Sequence, residues 1–270
     1  LTPLTYDDRM LGAIVEYAKA GQPQLISSLA IAGATSPATL AGTLALQNAE
    51  VLAGIVLTQL VRAGTPVIFA GSSTNAEMRT GALTIGSPEM ALNTAATAQM
   101  ARYYNLPSRS GGAVSDSKSP DAQAAYESMM SLLMAQVSGI NFVLHAAGIF
   151  ESYNCMSYEK FIIDDEMCGM VKRIKKAYAV DEDTLGFAVT KETGPGGHFL
   201  DKDHTMKHFR NEFFMPALSD RDSYDGWKEG GSLTSMQRAN RRYQEIIAAY
   251  EAPELPANTD RELKKFIETL

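Results

Sequence analysis

Short apolar stretches alternate with long helical patterns through the first two thirds of the chain. The pattern predicts four strands, at residues 24–32, 66–71, 107–113 and 141–147. Each is almost entirely apolar or small, which is typical of strands covered on both faces. A segment long enough for one helix follows each strand. This regular spacing indicates repeated strand–helix units.

Helix boundaries are marked by capping residues. Ser36 and Pro37 precede the first long helical segment as an N-cap and a first-turn proline, and Gly64 is expected to end it. Ser87 and Pro88 start the second helix in the same way. We therefore predict that these two helices begin at Pro37 and Pro88.

Alternating strands and helices predict an α/β fold with parallel strand pairing. Glycine-, serine- and asparagine-rich loops follow the strands, as in a (β/α)8 barrel of the TIM type, whose working loops lie there. The units occupy residues 1–180, so this chain would supply about half of the barrel. Residues 181–270 would add a closing loop or short strand within 182–200 and C-terminal helices, all in one domain. A doubly wound open sheet is the alternative.

Composition excludes several classes of protein. The 270 residues carry a net charge of −7, so no basic face for nucleic acid is expected. Polar residues interrupt the longest apolar tract, residues 48–64, which we interpret as a buried amphipathic helix and not as a membrane span. Two cysteines and no signal peptide favour a cytoplasmic protein. The missing initial methionine suggests a piece of a longer polypeptide.

Two polar side chains end predicted strands and are candidates for chemistry. His145 terminates an apolar strand, where an imidazole could act as acid, base or hydrogen-bond donor. Arg109 offers a forked, permanently charged donor for a carboxylate. The alternatives are a core histidine bonded to a neighbouring strand and an arginine in an inter-strand ion pair. Gly71, at another strand end, could let a ligand approach the backbone.

Polar residues after the third strand form a second group of candidates. Asp116 and Lys118 follow the strand end, and Gln123 and Glu127 share one helix face because they are four residues apart. Glu127 lies in an alanine- and methionine-rich surface. It is either a buried functional carboxylate or the ion-pair partner of Lys118.

Aromatic residues are frequent near the expected mouth of the barrel. Aromatic faces bind quaternary ammonium groups through cation–π attraction, although single rings more often serve packing. A cage would require several of them to face one cavity. The candidates are Phe69, Phe150, Tyr153, Tyr158 and Phe199.

The stretch GPGGHFLDKDHTMKHFR contains three of the four histidines. His204 and His208 have the spacing of paired helical zinc ligands, but Thr205 stands where the H-E-x-x-H pattern requires glutamate. We therefore predict no metal site. The glycines, Gly197 among them, suggest a permissive loop near a ligand, which makes His198 a candidate pocket residue.

Five segments together resemble one known family, the trimethylamine methyltransferase superfamily. They occur in order between residue 1 and about residue 227: AGATSPATLAGTLALQNAEVLAG, MRTGAL, SDSKSPDAQAAYE, IIDDEMCGMV and GPGGHFLDKDHTMKHFRNEFF. The chain is similar to the C-terminal half of these proteins, whose fold is a (β/α)8 barrel. The resemblance implies transfer of a methyl group from a methylated amine to the cobalt of a separate corrinoid protein.

The resemblance also implies a substrate class. Archaeal trimethylamine enzymes of this superfamily carry pyrrolysine, and the sequence contains none, so the non-pyrrolysine branch is implied, with quaternary amines such as glycine betaine as substrates. A betaine carboxylate would be bound by Arg109, His145 or His198. The cobalt-ligand pattern D-x-H-x-x-G is absent, so the corrinoid is expected to belong to the partner. A homo-oligomer is also expected.

Three other functions remain open from the sequence. The first is a trimethylamine-type methyltransferase. The second is a lyase or aldolase that forms a Schiff base at Lys118, the one lysine near a strand end, which lacks an apolar surrounding to lower its pKa. The third is a barrel that binds a quaternary amine without catalysis.

Overall fold

The computed structural model describes residues 2–269 as a mixed α/β protein. The strands are β1 Gln24–Ser28, β2 Ile31–Ala32, β3 Val67–Gly71, β4 Thr74–Asn75, β5 Ser108–Gly111, β6 Phe142–Leu144, β7 Ile149–Phe150 and β8 Cys155–Met156. The helices are α1 Asp8–Lys19, α2 Leu40–Val61, α3 Pro88–Tyr103, α4 Ala122–Val137, α5 Tyr158–Lys176, α6 Glu182–Leu185, α7 Phe187–Thr193, α8 Asp203–Glu212, α9 Tyr224–Glu229, α10 Ser235–Ala248 and α11 Ala257–Ile267.

The central sheet contains four parallel strands in the order β1-β3-β5-β6. These are the four strands that the sequence predicts, each a little shorter than expected. Their register places Ser27 opposite Ala70, Ala70 opposite Arg109, and Arg109 opposite Phe142. These four side chains therefore form one row across a single face of the sheet.

The two faces of the sheet differ in what covers them. One face packs under the helices, where Ile26 and Phe69 join a core with Val51 of α2. On the other face, large apolar side chains remain exposed: Leu25 by 38%, Leu29 by 37% and Phe142 by 47%. Uncovered apolar side chains on a parallel sheet are unusual, because such sheets are normally buried on both faces.

Helix α2 differs from the sequence prediction in its N-terminal cap and in the side chains that it buries. It begins at Leu40 with no side-chain cap, because Ser36 hydrogen-bonds Thr43 instead of capping the helix. Its buried positions are mostly polar or small: Thr43, Gln47, Glu50, Val51, Gly54 and Thr58. Val56 and Leu60 point outward, exposed by 55% and 80%. The expectation of a helix with its apolar face buried was therefore wrong.

By length and composition, α2 could also cross a membrane, and it is the one such helix in the described part of the chain. Core helices of soluble proteins share this length and composition. Glu50, in the middle of α2, accepts hydrogen bonds from Ser28 and from the backbone of Leu4. Packing against the sheet thus accounts for its position.

Residues 182–200, where the sequence predicts a closing loop or a short strand, contain no strand and form two short helices. Asp181 and Thr184 form a reciprocal capping box that starts α6, and Gly186 ends it in a left-handed conformation. Helix α7 follows at once. Helix α1, which the sequence did not predict, begins at the side-chain cap of Asp7. The C-terminal helices that the sequence predicts are present, among them α8 and α10.

Candidate functional site

A cavity of about 290 Å³ lies on the uncovered face of the sheet, at the carboxyl ends of the strands. It is lined by residues from four strand–loop connections. These residues are Ser27, Leu29, Ser72, Arg109, His145, Ile149 and Tyr153. In parallel α/β proteins ligands bind at this edge, so the cavity is the candidate functional site.

Arg109 supplies the positive charge of the cavity. The side chain is 7% exposed, and its Nη1 donates a hydrogen bond of 2.7 Å to the Ser72 hydroxyl. Its Nε is buried and has no hydrogen-bond partner within residues 2–269. Burial lowers the pKa of Arg109, but a guanidinium starts so far above neutrality that it stays charged. An unsatisfied charged donor in a cavity is suited to bind an anionic group.

His145 lies next to Arg109 in a strained backbone conformation, with φ of 57°. Its Nδ1 is buried and lacks a hydrogen bond to any described group. Burial, and secondarily the charge of Arg109, lower the pKa of His145 below its usual 6.5. The ring is therefore a neutral imidazole at pH 7. In that state it can donate or accept one hydrogen bond without adding charge.

Tyr153 forms the aromatic wall of the cavity. Its ring centroid lies 5.0 Å from that of His145. Burial raises the pKa of the Tyr153 phenol, against the opposing effect of Arg109, so the hydroxyl stays protonated at neutral pH. Of the aromatic candidates from the sequence, Tyr153 is the one among the cavity-lining residues.

The backbone that carries Tyr153 is a left-handed turn of three non-glycine residues. Glu151, Ser152 and Tyr153 have φ values of 50°, 51° and 76°. Left-handed geometry costs roughly 1–2 kcal/mol per residue. The turn is held by Glu151 N–H to Ser117 O at 2.9 Å and Ser152 N–H to Ser115 O at 3.2 Å. Strain of this kind is concentrated at functional sites.

Asp116 ties three loops together beneath the cavity. Its carboxylate accepts hydrogen bonds from the backbone N–H groups of Ile85 at 2.8 Å and Gly86 at 2.9 Å. The Ser152 hydroxyl is 2.7 Å from the same carboxylate. The loops after β3 and β6 are thus hydrogen-bonded to one carboxylate, which belongs to the loop after β5. Asp116 acts here as a scaffold for the loops, and it does not line the cavity.

Glu127 supports the same loops from α4. Its Oε2 accepts hydrogen bonds from the Ser115 hydroxyl at 2.7 Å and from Asp116 N–H at 2.8 Å, and its Oε1 from Gln123 at 2.9 Å. A Cβ added at Gly86 would lie 2.3 Å from Glu127 Oε2. Glu127 and Gln123 are therefore packed behind the cavity, and Lys118 bonds the Asp116 carbonyl instead of pairing with Glu127.

A buried ion pair lies next to this scaffold, which the sequence analysis did not identify. Lys160 and Asp164 are 2.5 Å apart and each is 1% exposed. Asp164 also accepts the N–H of Gly148, at the start of the strained segment, at 2.8 Å. Burial raises the pKa of Asp164 to about 6 despite the neighbouring ammonium. The i,i+4 spacing was visible in the sequence, but its burial was not.

The remaining predicted site residues lie elsewhere. Phe69 and Gly71 face the helices: Phe69 is in the core, and a Cβ at Gly71 would meet Gln47. Phe150 is buried in the β7–β8 hairpin and does not line the cavity. The other candidates are at the surface, where the structure does not bring them to the cavity: Tyr158, Gly197, His198 and Phe199.

A second, larger cavity of about 810 Å³ is lined by β1 and α1. Strand β1 pairs with β3 alone, so its other edge has no partner strand in the described part of the chain. Leu25 and Leu29 line this cavity together with Met10 and Tyr17 of α1. The sheet thus ends in an apolar, open edge.

Comparison with known proteins gives consistent matches over the whole chain. The family model for trimethylamine methyltransferase (MTTB) matches residues 1–269. The chain is 55% identical over 267 residues to a glycine betaine methyltransferase of Desulfitobacterium hafniense (strain Y51), covering 99% of this chain and 56% of the relative. It is 36% identical to a proline betaine:corrinoid methyltransferase of Eubacterium limosum, with 99% and 56% coverage. A trimethylamine methyltransferase of Methanosarcina barkeri (strain Fusaro / DSM 804) is 33% identical, with 99% and 54% coverage.

The chain therefore spans about half the length of these relatives. The resemblance noted from the sequence segments is confirmed.

Proposed function

Because the chain belongs to the trimethylamine methyltransferase (MTTB) family, we propose that the protein is a corrinoid-dependent methyltransferase acting on a quaternary amine. The substrate would be glycine betaine or a similar carboxylated amine. The acceptor would be reduced cobalt in the corrinoid of a separate partner protein. The observation that carries the proposal is the 55% identity to a glycine betaine methyltransferase, together with the cavity around Arg109.

The charge of the cavity supports a carboxylated substrate. Its lining residues include one permanent cation, Arg109, and no carboxylate. A bare tetraalkylammonium or a protonated amine would be repelled by this charge, whereas a betaine brings its own carboxylate. The unpartnered Nε of Arg109 and Nδ1 of His145 are available to the two carboxylate oxygens. The face of Tyr153 can then contact the methylated nitrogen by cation–π attraction.

The reaction places limited demands on this chain. One N–CH₃ bond would break while the methyl carbon bonds to the cobalt of the partner's corrinoid. The nitrogen would keep the bonding electron pair and become a neutral amine, with the carboxylate still anionic, so no acid has to protonate the leaving group. The partner's reduced corrinoid would supply the nucleophile. Arg109 and His145 would hold the substrate by its carboxylate, and Tyr153 would orient the ammonium group. Alignment and exclusion of water are then the main sources of rate acceleration.

The chain's own residues do not favour a resident corrinoid. No histidine in the sequence is preceded two positions earlier by aspartate, as D-x-H-x-x-G requires. The cofactor is therefore assigned to the partner protein.

We propose that the sheet is half of a (β/α)8 barrel. The four parallel strands, the exposed Leu25 and Phe142 on one face and the open apolar edge at β1 support this architecture. Closing the barrel would cover that face and complete the cavity wall.

The exposed Val56 and Leu60 of α2 support a homo-oligomer, whose mass light scattering after size exclusion would measure. A cytoplasmic location is proposed as well.

The test uses the full gene product that contains this chain. It is mixed with reduced cobalamin and, one at a time, glycine betaine, proline betaine, tetramethylammonium and trimethylamine, and methylcobalamin is followed by absorbance. We expect turnover with a betaine and little with the amines that lack a carboxylate. Activity on trimethylamine alone would support the trimethylamine-type alternative. Betaine binding without methyl transfer, also when a corrinoid protein is supplied, would support a non-catalytic barrel.

A further inference from the structure

A cluster of potential metal ligands lies outside the candidate site, between α6 and α8. His204 and His208 are one helical turn apart on α8, and Asp183 approaches them from α6. One ligand atom from each of the three residues lies within 4.8 Å of the others. The two imidazole centroids are 4.4 Å apart. The sequence did not predict this arrangement, because the third residue lies far from the histidines along the chain.

The hydrogen bonding of the two histidines differs, and both arrangements suit metal binding. His204 Nε2 is 2.9 Å from the backbone carbonyl of Asp183, which fixes that ring and leaves its Nδ1 with the free lone pair. His208 Nε2 is buried and makes no hydrogen bond within the described residues, although Asp183 Oδ2 lies 3.1 Å away. A neutral imidazole nitrogen that faces a carboxylate oxygen at this distance is placed to bind a metal ion together with it.

We propose that Asp183, His204 and His208 bind a divalent transition metal of the Zn²⁺ type. Two imidazoles and one carboxylate are a donor set that Zn²⁺ accepts, with a fourth position left for water. In a tetrahedral site with bonds of about 2.0–2.1 Å, neighbouring donors are roughly 3.3 Å apart. The present separations require side-chain movements of about an ångström, on surface helices that permit them.

Lys207 is the competitor for this site. Its ammonium lies 2.7 Å from Asp183 Oδ2 and the side chain is 62% exposed. An exposed ion pair of this kind contributes little to stability, so the ammonium can move into solvent when a metal binds. Removal of Lys207 should therefore strengthen metal binding.

The local fold explains why a metal would matter here. None of the residues of α6, α7 and α8 is buried. These helices therefore have little apolar core of their own to hold them together. A metal that joins α6 to α8 would supply the missing cross-link, as structural metals do in small domains.

The experiment uses the full gene product after treatment with a chelator. Zn²⁺ binding is measured by calorimetry, and Co²⁺ is added as a spectroscopic probe of coordination. We expect one metal per chain. The bound metal should also raise the melting temperature of this segment, which is measured by limited proteolysis around residues 177–203 at increasing temperature, with and without Zn²⁺. Asp183→Asn, His204→Ala and His208→Ala should each weaken Zn²⁺ binding by more than about 100-fold. Loss of a residue that only hydrogen-bonds a metal ligand typically weakens binding by roughly 10- to 100-fold.

Two further variants make the test specific. His198→Ala removes a histidine of the same region that is 69% exposed and outside the cluster, and it should leave the affinity unchanged. Lys207→Met should raise the affinity several-fold. Should a histidine variant fold poorly, Asp183→Asn and Lys207→Met still give opposite expected shifts. Zn²⁺ affinity that is absent in the wild type, or equal in all of these variants, would overturn the proposal.

Discussion

Replacing Lys160 by methionine should destabilise the protein strongly, because it leaves a buried carboxylate without its counter-ion. Lys160 Nζ lies 2.5 Å from Asp164 Oδ2 and 2.9 Å from the Ser128 hydroxyl, and both charged side chains are 1% exposed. Methionine fills a similar volume, so the lost interaction is mainly electrostatic. Breaking a buried pair by removing one partner costs about 3–5 kcal/mol. We expect a loss in that range at pH 7.5.

The pH dependence of this loss follows from the carboxyl group. Burial raises the pKa of Asp164 from its usual 3.8 to about 6 while Lys160 is present. A raised pKa in the folded state means that this group favours folding at low pH, and that this contribution is lost as pH rises through 6. Without Lys160 the pKa of Asp164 in the folded state rises further. Each unit of this rise lowers the free energy of unfolding, at a pH where Asp164 is ionised, by about 1.4 kcal/mol. The difference between wild type and Lys160→Met should therefore be smallest near pH 4–5 and grow above pH 6.

A double-mutant cycle separates the charge effect from packing. In Asp164→Asn the side chain keeps an oxygen for the N–H of Gly148, which donates to Asp164 at 2.8 Å. Lys160→Met combined with Asp164→Asn should regain at least about 2 kcal/mol relative to Lys160→Met alone, since no charge is then buried unpaired. Urea unfolding of the full gene product, followed by circular dichroism and by hydrogen exchange in α5, measures these values. A loss below about 1 kcal/mol for Lys160→Met, or strictly additive effects, would refute the reasoning.

Three further predictions concern the cavity and its support. Arg109→Ala should raise KM for glycine betaine by about 10- to 150-fold, the effect of losing a hydrogen bond to a charged group. It should lower KM for tetramethylammonium, because the positive charge that repels this cation is gone. An equal rise of KM for both would remove Arg109 from the carboxylate role. Betaine affinity, measured by calorimetry, should rise as pH falls below the lowered pKa of His145, because the imidazolium adds a second positive charge to the cavity. In His145→Gln this rise of affinity should be absent. Gly86→Ala should cost about 1–3 kcal/mol in thermal unfolding, because its Cβ would lie 2.3 Å from Glu127 Oε2. Gly12→Ala, inside α1 with no neighbour within 4 Å, should instead stabilise the protein by about 0.5–1 kcal/mol, the gain in helix propensity. A neutral Gly86→Ala would show that Glu127 can move freely.

The sequence was informative where a feature depends on local periodicity. The four central strands were located because each is a short apolar run followed by one helix, and Arg109 was placed at a strand end for the same reason. Its position in the cavity follows from the alternation of side chains along a strand. The same alternation could not be applied to Phe69, because β3 is apolar on both faces. An all-apolar strand does not reveal which face meets the helices.

Features that depend on long-range contacts could not be predicted. Glu127 was expected to be either a buried functional carboxylate or the ion-pair partner of Lys118. Its partners are in fact loop N–H and hydroxyl groups, which residue spacing does not reveal. Tyr153 was identified only as one ring among several, since its left-handed turn contains no glycine that would indicate such a turn in the sequence. His198 was assigned to a pocket from its glycine-rich neighbours, and the structure places it on the surface. In each case tertiary packing decided the outcome.

The single carboxylate of Asp116, which joins three loops, has a consequence for how relatives of this chain can diverge. An insertion or a shift in any one of these loops would break hydrogen bonds that the other two also need. Changes of substrate are therefore expected to arise by exchange of side chains on a common backbone frame, at positions such as 109 and 145. Comparing crystal structures of two members with different substrates would reveal superimposable loops carrying different side chains.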